Sequence, residues 1–304
     1  MRLEGIIAAI PTPFHPDETL NLEALESNVK RWNDTSLTGY TVLGTTGEFV
    51  SLTLDEKKRV LERAREATPR EKVFLAGTGA ESTFETLELT RWAAALGADY
   101  AIVITPHYNR RWFAPESLVE HYHRIADASG IPIVVYHIPA CTGLALEPAT
   151  IAKIAEHPNV AGIKDSSGDV LALQETKRVC PEEFAVLTGS AQILLAAFTV
   201  GASGAILADA CAVWDEPAEL QEALAAGEID RARAIQMRLA AFSREVVSNR
   251  GIPGVKALLD RMGFYGGPPR LPLLPLAPDA ADDVERAYQF LKALMAQRAL
   301  RGDS

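Results

Sequence analysis

Three cysteines, Cys141, Cys180 and Cys211, are all that the 304 residues contain. They are widely separated and odd in number, so neither a disulfide framework nor a zinc spacing follows, and a reducing, cytoplasmic setting is expected. Basic clusters are missing too. A net charge of −10 and nothing longer than the pair Arg110-Arg111 exclude an ordinary nucleic-acid partner. No apolar stretch reaches the ~20 residues needed to cross a bilayer. The N-terminal Met1-Arg2-Leu3-Glu4 leads straight into a strand-like segment, unlike a secretory leader. No His-Glu-x-x-His spacing occurs, so His107, His121 and His123 are not read as metal ligands. No flavin or nicotinamide fingerprint is present, and neither cofactor nor metal is expected.

What is present is a large supply of core. The chain is 48% apolar and 23% charged, as in a soluble globular protein. Eight short apolar runs recur: Ile6–Ile10, Gly39–Leu43, Val73–Ala76, Tyr100–Thr105, Ile131–Tyr136, Val160–Lys164, Ala185–Thr188 and Gly204–Ala208. They are rich in Ile, Val and Ala and alternate little, which suits parallel strands covered on both faces. Helical patterns lie between them, at Leu54–Ala67, Ser82–Leu96, Pro115–Ala128, Pro148–His157 and Ala191–Val200. Eight such units predict a (β/α)8 barrel over residues 1–226, with a doubly wound sheet as the alternative. Beyond it the strands stop. Glu216–Ala226, Glu228–Ser248, Val255–Met262 and Ala280–Leu300 read as helices, and residues 227–304 as a helical extension.

Lys164 stands alone at the end of the apolar run Val160-Ala161-Gly162-Ile163-Lys164. An ordinary lysine, with a pKa about 10.4, has only about one amine in two or three thousand uncharged at pH 7. Burial disfavours the charged form, and a neutral lysine attacks ketones to give a Schiff base. In a barrel the chemistry collects at the C-terminal ends of the strands. Lys164 ends strand six, and Tyr136 ends strand five. The turn Gly44-Thr45-Thr46-Gly47-Glu48 follows strand two, Gly77-Thr78-Gly79 strand three and Gly189-Ser190 strand seven. Tyr136 is the candidate proton carrier, with the Thr46 hydroxyl as its relay, and the threonine turn offers N–H groups to a carboxylate. His137 is expected on the opposite face of its strand, in packing rather than chemistry. The cysteines have no paired base in sequence.

These residues resemble the pyruvate-utilising class I lyases of the dihydrodipicolinate synthase and N-acetylneuraminate lyase family. The matching segments are Gly44–Glu48, Thr105-Pro106-His107-Tyr108-Asn109, Val135-Tyr136 with Pro139, Gly162-Ile163-Lys164-Asp165, and Tyr265-Gly266-Gly267-Pro268-Pro269-Arg270-Leu271-Pro272-Leu273. The resemblance runs in order over nearly the whole chain. It implies that Lys164 forms the imine with pyruvate or another 2-oxo acid. It assigns Tyr136 and Thr46 to proton transfer, and Tyr108 to a neighbouring subunit's site in a homo-oligomer, dimer or tetramer. It places Thr45, Gly47, Gly189, Ile206 and Cys141 about the substrate.

Two departures bear on the second substrate. Dihydrodipicolinate synthases carry an arginine after the tyrosine strand to hold the aldehyde's carboxylate. Here Pro139-Ala140-Cys141-Thr142-Gly143 puts Cys141 at that place, and a thiol cannot replace a bidentate guanidinium. The sialate-lyase pattern after the lysine is also absent. Thr142-Gly143-Leu144, the lysine segment and Gly251-Ile252-Pro253-Gly254 look most like 4-hydroxy-2-oxoglutarate aldolases. The expected activity is therefore cleavage of that substrate to pyruvate and glyoxylate. The alternatives are the synthase reaction, a sugar-acid aldolase or dehydratase, or a barrel that binds a 2-oxo acid without turnover.

Overall fold

The computed structural model describes residues 3–301. Met1-Arg2 and residues 302–304, the two ends of the predicted domains, lie outside the described residues. Eight parallel strands close a barrel in sequence order: β1 (Gly5–Ala9), β2 (Gly39–Val42), β3 (Val73–Gly77), β4 (Tyr100–Ile104), β5 (Ile133–His137), β6 (Val160–Asp165), β7 (Ala185–Thr188) and β8 (Gly204–Leu207). All positions of β3, β4 and β5 are buried, which is why their sequences do not alternate. Along β4, Ile102 enters the barrel interior with Ile7, Leu75, Val134, Leu187 and Ile206. Its neighbours Ala101 and Val103 face outward against the helical layer.

The outer layer comprises α1 (Leu22–Asn33), α2 (Leu54–Ala67), α3 (Thr83–Ala95), α4 (Pro115–Ala128), the one-turn α5 (Pro139–Thr142), α6 (Pro148–Ala155), α7 (Val170–Val179), α8 (Leu194–Thr199) and α9 (Asp215–Ala225). Local chemistry starts several of them. Thr53 and Glu56 form a reciprocal capping box on α2, Ser82 caps α3, and Asp169 accepts two amides at the start of α7. The apolar run at Ile131 enters the sheet two residues late, because Ser129 Oγ bonds both the N–H and the C=O of Ile131 and folds it into a turn. Helices α1 and α7 are the crossovers that the sequence pattern did not single out.

After α9 come α10 (Ile229–Ser243), a π-helical stretch Arg244–Ser248, α11 (Gly251–Arg261) and α12 (Pro278–Arg301). Leu239, Phe242, Val246, Leu258 and Leu259 continue the same buried cluster as Ile6, Tyr40 and Leu207. The extension is thus fused to the barrel's flank through shared core.

Candidate active site

Tyr136 and Lys164 are register partners on β5 and β6. Both are 4% exposed. Equal register on adjacent parallel strands aims both side chains into the barrel mouth, and Lys164 Nζ lies 4.2 Å from the centroid of the Tyr136 ring. On the far side of the lysine, β7 ends at Thr188 and Gly189 follows. A Cβ at Gly189 would sit 3.0 Å from Lys164 Cε and 1.9 Å from Ser166 Oγ. Only a glycine lets the backbone approach the lysine stem so closely. Ile206 of β8 belongs to the same interior cluster as Tyr136. The hollow of about 590 Å³ at the opposite end, lined by Leu3, Tyr100, Lys177 and Phe184, lies on the barrel's bottom face. In this fold that face contributes stability rather than chemistry.

The threonine turn corrects one expectation. The hydroxyl that meets Tyr136 is that of Thr45, with 3.0 Å between Thr45 Oγ1 and the phenol oxygen, and not that of Thr46. The cause is backbone shape. Leu43 and Glu48 sit in the left-handed region at φ 62° and 53°, which reverses the chain sharply and delivers the first threonine to the β5 side. Gly47 also differs from its expected role. Its N–H donates to Gly44 O and its carbonyl accepts from Thr12 Oγ1, so it closes the turn rather than offering a donor to ligand. Glu48 N–H likewise donates to Thr45 O. The amides of Thr45 and Thr46, with the buried Thr46 side chain, remain as candidate carboxylate donors.

The turn rests on groups that the sequence reading missed. Glu48 Oε1 lies 2.5 Å from Lys256 Nζ of α11, both side chains almost wholly buried. Glu48 Oε2 accepts from the Arg270 amide, and Lys256 also donates to Pro268 O. Burial pulls the Lys256 pKa below its ordinary value, and Glu48 opposes that shift. The signal was the one used for Lys164: Lys256 stands in the apolar run Val255-Lys256-Ala257-Leu258-Leu259.

Two candidates stand at the rim. Cys141 is in α5, just beyond β5. The residue is exposed, yet neighbouring protein desolvates the thiol and raises its pKa, while the Lys164 charge draws it down. That opposing pull places Cys141 within electrostatic reach of the lysine. Tyr108 is 81% exposed on the β4–α4 loop. Its amide and that of His107 both donate to Glu81 Oε2, and His107 Nδ1 lies 2.9 Å from Glu81 Oε1. The clamp fixes the loop and leaves its tyrosine side chain exposed.

A buried amine beside a phenol that is hydrogen-bonded to a hydroxyl can capture a ketone and move protons at the captured carbon. Residues 2–291 match the Dihydrodipicolinate synthetase family. A 4-hydroxy-tetrahydrodipicolinate synthase of Exiguobacterium sp. is 38% identical over 276 residues, covering 91% of this chain and 94% of its own. The chloride-inhibited dihydrodipicolinate synthase of Acinetobacter baumannii, solved with pyruvate, is 31% identical with a TM-score of 0.90, covering 95% of this chain and 99% of its own. The dihydrodipicolinate synthase of Bacillus anthracis reaches a TM-score of 0.91 at 28% identity, covering 95% and 98%.

Proposed function

The chain belongs to the dihydrodipicolinate synthetase family of lysine Schiff-base lyases acting on pyruvate, and we propose that it carries out the synthase reaction for which its relatives are named, joining pyruvate to aspartate semialdehyde. The order of the two leading activities is thus reversed from the sequence reading, because relatives at 34–38% identity over most of the chain carry the synthase name.

In this reading the free amine of Lys164 attacks C2 of pyruvate, and the carbinolamine loses water to give an iminium. The iminium draws electrons from the neighbouring methyl, which gives up a proton to the Thr45–Tyr136 relay and becomes the nucleophilic carbon of an enamine. That carbon attacks the aldehyde. The phenol of Tyr136 protonates the new alkoxide and recovers its proton through Thr45. The amine of the former semialdehyde then attacks C2, closing the ring and displacing Lys164 as the free amine. The Thr45 and Thr46 amides and the Thr46 hydroxyl hold the pyruvyl carboxylate.

Tyr108 serves a neighbouring copy. Its exposure, with that of Trp112 on the same loop, at 81% and 76%, supports a surface for a second chain. Among the described residues no helix is long and apolar enough to cross a membrane.

The observation that carries the reading is the buried Lys164 amine facing the Tyr136 ring, with Thr45 on the phenol oxygen. The thiol at 141 favours a second reading, cleavage of 4-hydroxy-2-oxoglutarate, since it supplies no guanidinium for the semialdehyde's carboxylate. Incubation with pyruvate, borohydride reduction and peptide mapping test the shared step. Label on Lys164 supports it, and an unlabelled protein at saturating pyruvate refutes it. Condensation of pyruvate with aspartate semialdehyde outpacing pyruvate release from 4-hydroxy-2-oxoglutarate supports the synthase; the opposite ratio supports the aldolase.

A further inference from the structure

Directly after the reacting pair, the next rung of β5 and β6 is also a pair, His137 opposite Asp165. Side chains alternate along strands, so these two point out of the barrel while Tyr136 and Lys164 point in. Both are buried. His137 Nδ1 lies 2.8 Å from Asp165 Oδ2, and the amide of Leu146 donates to His137 Nε2 at 3.1 Å. The other carboxylate oxygen accepts from the amide and hydroxyl of Ser167. An amide can only donate, so Nε2 carries the lone pair and the ring proton sits on Nδ1, facing the carboxylate. The hydrogen-bond network, rather than any observed hydrogen, assigns this neutral tautomer. Burial raises the Asp165 pKa, but hydrogen bonds from His137 and Ser167 outweigh it and hold the carboxyl below its ordinary value.

The segment between β5 and α6 carries Cys141 at the rim. Its own bonds are local: Thr142 Oγ1 donates to Ile138 O and Leu144 O, and the Gly143 amide to Pro139 O. Arg110 packs on Gly143 from the exposed side; a Cβ there would lie 2.9 Å from its Nε. The Leu146–His137 bond returns the segment to the strand that carries the reacting phenol.

We propose that His137 is a positioning residue that pins residues 138–146 to the ends of β5 and β6 and thereby sets affinity for the aldehyde rather than for pyruvate. The proposal rests on the pyruvate-aldolase reading for its kinetic test. In the proposed cycle the pyruvyl end is held by Lys164 and the β2 turn, whose Thr45 meets Tyr136 itself, and takes no group from residues 138–146. The aldehyde must arrive from the rim where Cys141 stands.

Two substitutions separate the two bonds. His137→Asn keeps a donor near Asp165 but has no atom that reaches the Leu146 amide. His137→Gln reaches that amide with its carbonyl but gives up the Asp165 contact. With His137→Asn we expect borohydride trapping of pyruvate within about twofold of the unsubstituted protein, and the KM for the aldehyde raised roughly tenfold, as for one buried hydrogen bond. His137→Gln should recover most of that KM. Equal effects of both variants on pyruvate trapping and aldehyde KM, or no effect of either, would overturn the proposal. The unsubstituted protein tests it independently of turnover and of whether the variants fold. Imidazole ¹⁵N shifts should report an Nδ1–H neutral ring at pH 7, and the Leu146 amide should exchange slowly. An Nε2–H or doubly protonated ring, or rapid exchange at Leu146, sinks it. Absence of pyruvate trapping in the unsubstituted protein would instead refute the aldolase reading and leave these two measurements to decide.

Discussion

Glu48 and Lys256 come from the turn after β2 and from α11 of the helical extension, and they meet with 2.5 Å between oxygen and nitrogen, sealed from water. The contact joins the extension to the turn that carries Thr45. A left-handed φ at a non-glycine residue costs on the order of 1–3 kcal/mol and persists only where surroundings enforce it. Glu48 is such a residue, and its side chain is the one held by Lys256.

Removing one partner strands a buried charge. Lys256→Met should therefore cost about 3–5 kcal/mol of stability in chemical denaturation. Glu48→Gln combined with Lys256→Met should recover more than half of that loss, because no unpaired charge remains. A single substitution costing under about 1 kcal/mol would show that the pair does not hold the turn.

The Thr45–Tyr136 bond predicts a coupled pair. Tyr136→Phe and Thr45→Val should each lower kcat by about 10²–10⁴, the range of a lost proton carrier. The double variant should be little worse than either, since the two groups act as one unit. Thr46→Val should act mainly on the KM for pyruvate. If Thr46→Val, and not Thr45→Val, matched Tyr136→Phe, the relay would run through the other threonine.

Gly189→Ala places a methyl against Lys164 Cε and Ser166 Oγ. Displacing a reacting group by about 1 Å can cost about 10²-fold. A drop of that order in the rate of pyruvate trapping is expected, with partial recovery when Ser166→Gly removes the nearer obstacle. An unchanged trapping rate in Gly189→Ala would mean that the lysine is not constrained from this side.

Asp209, just past β8, is fully buried, and burial pushes its pKa up to about 6, against a weaker opposing hydrogen bond from Ser243. The unfolded carboxyl titrates near 3.9. Between about pH 4 and pH 6 the folded chain therefore binds more protons at this position than the unfolded chain. Its contribution to stability is greatest below pH 4 and falls as pH rises through 6, by on the order of 2–3 kcal/mol. Asp209→Asn should remove that slope. The check is the difference between the two proteins' unfolding free energies from pH 4 to pH 7, which cancels carboxylates titrating the same way in both. A flat difference would contradict the assignment.

Much of the barrel was legible because burial on both faces writes itself as unbroken apolar runs, and eight of them were countable. Lys164 and Tyr136 were legible for a related reason: a lone polar residue at the end of such a run is conspicuous. Cys141 was visible only as a departure from a pattern. The choice between Thr45 and Thr46 was not legible. Adjacent hydroxyls in one turn differ only in direction, and that direction follows from two left-handed residues whose φ depends on what the turn packs against. Helix α1 was overlooked although Leu25, Val29 and Trp32 stand at helical spacing on its buried face.

The amino-acid sequence alone determined the number and order of the strands and the chemical type of the nucleophile, since each depends on residue identity and short-range spacing. Tertiary structure decided which hydroxyl meets the phenol, which distant lysine holds Glu48 and which proton His137 carries. Those are matters of a few tenths of an ångström between groups remote in the chain, and barrel closure fixes them all at once.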